Sequence, residues 1–174
     1  GVRNSLRRKP MVILVGEARD AETIDALILA AQTGHLVYAT AHTNSVPETL
    51  SRLVEPFPSQ ERESRLTALL EALRCIVTQR LARTTDGRRA PAREYLHFTQ
   101  ADKDKIADAP FKQLLAVTRQ RVRERGRPLT VDLNALRAAG QISEVEYHHF
   151  REVGTQLDPQ HSGNEIAVYS TDGR

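Results

Sequence analysis

The first concentration of apolar residues is an unbroken run at residues 11–15, Met-Val-Ile-Leu-Val, as expected of a parallel strand buried on both faces. A polar exit follows, Gly16-Glu17-Ala18-Arg19. Asp20 can then cap a helix running to about residue 32, with Ile24, Leu27, Ile28 and Ala31 along one face. Gly34 suits the position just past the end of that helix, and residues 36–40 form the next strand. Strand, helix and strand in this order predict a βαβ crossover, right-handed and with parallel strands.

Beyond it, Ser45 and Glu48 have capping-box spacing with Pro47 in the first turn, so a short helix is expected to about residue 54. Pro56 and Pro58 stop it. Ser59 can cap a further helix, in which Leu66, Leu69, Leu70 and Leu73 recur at helical spacing. Residues 76–81 and 92–98 read as strands, joined through the hairpin signal Asp86-Gly87. Pro91 places this hairpin at the sheet edge, because a central strand needs the N–H that proline lacks. From residue 101 onward the pattern is helical, with segments at 111–124, 131–139 and 144–153. Ser143 and Glu146 form another capping box, and Gly140 and Gly154 are natural stops. Residues 156–174 are polar with little periodicity, although residues 166–169 could pair weakly. The expected division is therefore an α/β core over 1–100, a helical subdomain over 101–154 and a flexible tail over 155–174, without internal repeats.

Composition narrows the function classes. No apolar run approaches the ~18 residues of a membrane span, and the basic start (Arg3, Arg7, Arg8, Lys9) leads into Pro10 rather than into the apolar stretch of a signal peptide. Cys75 is the only cysteine, so no disulfide can form within the chain, and it lies in an apolar pattern that reads as core. The chain is cytosolic in character. A formal charge of +3 and a pI near 9.3 come mostly from arginine. Arg119, Arg121, Arg123, Arg125 and Arg127 invite a nucleic-acid reading. Alternate positions scatter around a helix, however, and no aromatic residue lies between them to stack on bases, so a solvated, partly interfacial helix is expected and specific nucleic-acid binding is not. His148 and His149 are adjacent and point to different helix faces, so they do not form a metal pair, and His97 reads as a strand-surface residue.

The residues that carry chemistry lie at the ends of the first two strands. A buried strand that delivers a carboxylate, Glu17, at its C-terminal end puts that group where open α/β sheets bind ligands. There it can hold the water shell of Mg²⁺ or orient an attacking water. Taken alone, a strand ending in Gly-Glu is equally consistent with a solvated or capping acid. One crossover later, residues 33–45 (Thr-Gly-His-Leu-Val-Tyr-Ala-Thr-Ala-His-Thr-Asn-Ser) end the neighbouring strand in polar side chains. Thr40, His42 and Asn44 are thereby expected beside Glu17, where a histidine could donate to a γ-phosphate or to the water-orienting carboxylate. A lone histidine is ordinarily a satisfied, partly buried side chain. The pairing with Glu17 through this spacing favours a functional role.

Together, VILVGEARDAET and AAQTGHLVYATAHTNS resemble the Walker B and His-box region of the PilT/GspE-like secretion ATPase superfamily, which includes pilus retraction motors and type II and type IV secretion or conjugation ATPases. The resemblance is strong over residues 5–98 and looser over the later helices. The hairpin sequences look most like the DotB/TraJ branch, which serves Dot/Icm secretion and plasmid conjugation. The resemblance implies a partial P-loop NTPase (RecA-like) sheet followed by helices. It implies Glu17 as the Walker B glutamate, His42 and His35 as the second and first His-box histidines, and Arg19 and Asp20 as supporting residues, with Thr40 and Asn44 beside them. Met11 stands where the family often has Asp, and Ala41 where it often has Leu. Neither change removes a proposed catalytic group.

A Walker A loop, G-x-x-x-x-G-K-[ST], needs lysine after glycine, and none of the four lysines (Lys9, Lys103, Lys105, Lys112) follows one. The resemblance thus makes the chain the C-terminal part of a hexameric ATPase, cytoplasmic and peripheral at the inner membrane, that powers secretion, conjugation or pilus dynamics with ATP and Mg²⁺. Alone it is expected to bind ATP weakly or not at all. ABC transporters also place a switch histidine after a Walker B acid, but they carry an acidic pair where this chain has Gly16-Glu17. The other reading is a catalytically incompetent oligomerisation or partner-docking module.

Overall fold

The computed structural model describes residues 10–153 and 166–170, and the expectations for residues 1–9, 154–165 and 171–174 lie outside them. The chain opens with β1 (Val12–Val15), α1 (Ala21–Gln32) and β2 (Leu36–Ala39). β1 and β2 run parallel, with Val12 opposite Leu36 and Val15 opposite Ala39, as the crossover pattern requires. Asp20 caps α1 by accepting the Thr23 N–H at 2.8 Å, and Gly34 takes the positive φ (88°) that lets the chain turn back into β2.

α2 (Val46–Val54) begins on Ser45, whose hydroxyl accepts the Glu48 N–H at 3.3 Å. The next helix, α3 (Arg62–Ala72), starts three residues beyond the cap expected at Ser59. The Ser59 hydroxyl turns to Gln60 instead, and the Glu61 N–H closes a turn on the Pro58 carbonyl at 2.8 Å, so those residues form a bend before the helix. β3 (Cys75–Arg83) and β4 (Arg89–His97) form the hairpin, its turn made by Gly87 at φ 82°. Both strands are longer than the expected spans. β4 is an edge strand, which accommodates Pro91 opposite Leu81.

Four helices follow: α4 (Gln100–Ala107), α5 (Leu114–Arg125, entered through a 3₁₀ turn at Phe111–Gln113), α6 (Leu129–Ala138) and α7 (Glu144–Val153). α4 has a capping box that the sequence reading passed over: the Thr99 hydroxyl accepts the Asp102 N–H while the Asp102 carboxylate accepts the Thr99 N–H at 3.1 Å. At Ser143 only half of the expected box forms. The Glu146 N–H donates to Ser143, but the Glu146 carboxylate leaves its own helix and takes the Arg83 N–H at 2.7 Å.

β5 (Ile166–Ser170) is the largest departure from the sequence pattern. Assigned to the tail with at most weak pairing, it is the central strand of the order β1-β2-β5-β3-β4, antiparallel to both neighbours. β2 and β3 each offer it a row of unpaired backbone groups, a demand that five residues of local pattern do not reveal.

Packing does not part the chain at residue 100. The main core joins Ile13, Ile24, Leu50 and Leu70 to Leu96, and also to Ile106, Leu114 and Val122 from α4 and α5. A second cluster, of Ala82, Ala92, Leu133, Ile142, Tyr147 and Phe150, seats α6 and α7 on the hairpin. Cys75 is half-buried rather than fully interior, and that burial pushes its thiol pKa up. The arginine series also divides. Arg121 is buried against Asp102 at 2.8 Å and Arg127 pairs with Asp132, while Arg119, Arg123 and Arg125 are exposed, so no continuous basic stripe exists.

Candidate active site

Because β1 and β2 are parallel and in register, their C-terminal ends open at one edge of the sheet. Ala18 and Thr40 lock the two exits together. The Ala18 N–H donates to the Thr40 carbonyl at 3.0 Å, and the Thr40 hydroxyl donates to the Gly16 carbonyl. Glu17 and His42 then face each other across this junction, with His42 Nε2 3.5 Å from a Glu17 carboxylate oxygen. The other Glu17 oxygen pairs with Arg19 Nε. The Glu17 side chain is 22 % exposed, His42 50 % and Arg19 70 %, so the acid is set back behind two groups free to move into solvent.

The charges around Glu17 keep it ionised. Chiefly the hydrogen bond from Arg19 holds its pKa below the usual carboxylate value; desolvation opposes this, and the positive fields of Arg19, His42 and Arg52 reinforce it. Arg52 belongs to α2, and sequence reasoning missed it. Its only signal was its helical phase, which turns it back toward the loop it follows.

The remaining predicted residues divide by place. Asp20 sits three positions beyond Glu17 and is engaged as the cap of α1; the Thr23 backbone and hydroxyl lower its pKa. Asn44 lies in the loop after His42, where its N–H donates to the Glu48 carboxylate at 2.9 Å. His35 stands at the other end of β2 from Thr40. There its Nδ1 lies 3.1 Å from the Ala30 carbonyl and 3.2 Å from the Thr33 hydroxyl, closing the turn out of α1. The structure therefore brings Glu17, Arg19, Thr40 and His42 together and leaves His35 outside that group.

No cluster of three metal-ligating side chains exists among the described residues. A single carboxylate is compatible with Mg²⁺, which is ordinarily held by one or two carboxylates together with substrate phosphates and waters. Glu17 supplies such a carboxylate, charged and partly open. Behind the site an apolar cavity of about 40 Å³ is lined by Ala18, Ile24, Leu27, Val37, Ala39 and Thr40. Its lining offers a nucleotide nothing to bind.

Residues 1–158 match the family described as "Type II/IV secretion system protein". The type IV pilus retraction ATPase PilT of Pseudomonas aeruginosa is 36 % identical over 142 residues, covering 82 % of this chain and 41 % of that protein. The crystal structure of the Legionella pneumophila ATPase DotB superposes with a TM-score of 0.82 at 44 % identity, over 88 % of this chain and 42 % of DotB. The pilus retraction motor PilT with bound ADP superposes at 0.74 and 32 % identity, over 91 % of this chain and 43 % of PilT. The chain thus has the α/β fold of these ATPases and spans about two fifths of the length of the relatives it matches.

Proposed function

The chain belongs to the type II/IV secretion system protein family, and we propose that it supplies the hydrolysis side of the nucleotide site in a secretion or pilus motor ATPase. The observation that carries this reading is the meeting of Glu17 and His42 at 3.5 Å on the ends of two parallel strands. The phosphate-gripping loop, with its glycines and lysine, would come from parts of the motor outside these residues.

Within that site Glu17 has the properties of a water-orienting base. It stays ionised, it is held by a short rigid exit from β1, and one of its oxygens already faces a histidine. Mg²⁺, when bound with ATP, would neutralise phosphate charge, and Glu17 is the residue placed to hold its water shell. His42 lies close enough to share a proton with Glu17 and is exposed enough to reach an arriving phosphate, which makes it a sensor of nucleotide state. Arg19 covers the second Glu17 oxygen and must give it up when water or phosphate takes that place. Thr40 keeps the two strand exits in register, so that Glu17 and His42 move together. His35, Asp20 and Asn44 serve the same site from a distance, by shaping the turn before β2, the start of α1 and the loop after His42.

The intact motor is a homo-oligomeric ring, six-fold by family resemblance, that docks peripherally on inner-membrane secretion, conjugation or pilus machinery. None of the described helices is long and apolar enough to cross a membrane. The test is Mg²⁺-dependent ATP turnover by the full-length protein carrying Glu17→Gln or His42→Ala. Both variants should lose turnover while still binding nucleotide. Unchanged turnover in both defeats the assignment.

A further inference from the structure

His42 lies in a six-residue loop, and the two sides of that loop are held differently. On the β2 side Thr40 is bonded to the exit of β1. On the α2 side most of the bonds are local. The Thr43 and Thr49 hydroxyls meet at 2.6 Å in the interior, the Asn44 N–H donates to Glu48, and Ser45 accepts from Glu48. One bond arrives from far along the chain: the Val46 N–H, first in α2, donates to a Glu94 oxygen on β4 at 2.8 Å.

Glu94 has a second attachment. It also faces Leu129, the first residue of α6, whose backbone N–H favours the charged carboxylate; that helix has Pro128 at its cap position and no side-chain cap bond. One half-buried carboxylate thus caps α2 and stands near the start of α6, where unpaired donors and the helix dipole favour negative charge. Arg80, buried on β3 against the face of Phe150 in α7, and Arg119 on α5 lend it positive field. Burial outweighs these contributions and pushes the Glu94 pKa up, so the group is held where water would serve it better.

We propose that Glu94 is a positioning residue for hydrolysis: by capping α2 from β4, where the neighbouring Arg93 N–H donates to Asp132 of α6 at 2.9 Å, it ties the His42 loop to the helical end of the molecule. A displacement of α6 is then felt at Val46, four residues from His42. The inference rests on the assignment of Glu17 and His42 to the hydrolysis site.

A double-mutant cycle in the full-length ATPase tests it, reading kcat and KM for Mg-ATP in Glu94→Ala, His42→Ala and the double variant. Glu94→Ala should lower kcat about tenfold or more, as expected when a catalytic group shifts by ångströms, with KM changed less than about twofold. In the His42→Ala background the same substitution should cost under about twofold, because the group it positions is gone. Equal losses with and without His42 overturn the inference and leave the site assignment standing. If His42→Ala alone leaves turnover intact, the site assignment fails and this inference fails with it. Glu146→Ala is the control, since Glu146 also accepts a distant backbone N–H, from Arg83, but at the far tip of the hairpin; it should show no coupling to His42. Should Glu94→Ala not fold, Glu94→Gln, which keeps one acceptor oxygen, carries the same cycle. Hydrogen exchange should then quicken at residues 42–46 and 129–131, and unchanged protection there also overturns the inference.

Discussion

Glu17 and Glu94 both end a hydrogen-bonded path at a helix or loop entrance, and the fold treats them in opposite ways. Glu17 stands at the open edge of the sheet, where Arg19 holds its pKa down and bulk water is close at hand. Glu94 lies under α2 and α6, where burial pushes its pKa up despite the Val46 N–H and two arginines nearby. Charge at Glu17 is supported by groups that can leave, whereas charge at Glu94 is tolerated because it satisfies backbone that could find no other partner. The contrast separates residues placed for chemistry from residues placed for architecture, although both are acids on an α/β core.

The sharpest way to break that contrast is to remove the charge at Glu17. Glu17→Gln keeps the shape and most of the exposure, so stability should be nearly unchanged while ATP turnover of the full-length protein falls by about 10²–10⁴-fold, the range for loss of a general base. Turnover is read by phosphate release and stability by the thermal midpoint. A large drop in midpoint with modest loss of turnover would move Glu17 to the architectural class.

The reverse experiment uses the most deeply buried ion pair among the described residues. Asp102 is fully buried, caps α4 through Thr99 and meets Arg121 Nε at 2.8 Å. Burial by itself would raise the Asp102 pKa, but the bonds from Thr99 and Arg121 prevail and hold it below the usual value. Asp102→Ala leaves the buried Arg121 guanidinium with only the more exposed Glu124 as partner and removes the cap of α4, so it should cost about 3 kcal/mol, measured by urea unfolding. Turnover per folded molecule should stay the same, because neither α4 nor α5 contributes a side chain to the Glu17–His42 pair. Loss of activity beyond the loss of folded protein would show that the two regions are less separate than their chemistry suggests.

Much of the Glu17–His42 geometry was legible in the sequence because it depends on neighbours in the chain. An unbroken apolar strand, a capped helix and a second strand fix which residues leave the sheet at one edge, and side-chain chemistry does the rest. His35, which shares a motif with His42, lies at the opposite end of the same four-residue strand. Arg52 and Glu94 escaped notice because their roles depend on how α2 packs, which no periodicity encodes. The strand at residues 166–170 was undervalued for a related reason. Its partners are 88 to 133 positions earlier, and only the sheet that they form reveals the gap that it fills.

A pH experiment on Glu94 gives a smaller effect of diagnostic sign. A carboxyl whose folded-state pKa is raised binds its proton more tightly in the fold than in the unfolded chain. Its contribution is therefore most favourable below the unfolded pKa, about 4.3, and declines as pH rises through the raised folded value. Glu94→Gln has no such decline. The difference in urea midpoint between wild type and Glu94→Gln should shift toward wild type as pH is lowered to about 4. The difference is the quantity to follow, because Glu17, Asp20, Asp86 and Asp102, all with lowered pKa values, drive the whole curve the other way. A flat difference would mean that Glu94 is solvated like Glu17.

The smallest change concerns a hydroxyl that serves neither purpose. Thr118 is fully buried on α5, between Leu114 and Val122, and its Oγ1 is the one buried side-chain polar atom without a hydrogen-bond partner among the described residues. An unpaired buried hydroxyl costs desolvation that no bond returns. Thr118→Val replaces it with a methyl group of nearly the same size, so stability should rise by about 1 kcal/mol with turnover unchanged. If Thr118→Val instead destabilises the chain, the hydroxyl has a partner, and the helical end carries a polar contact that couples α5 to something beyond the described residues.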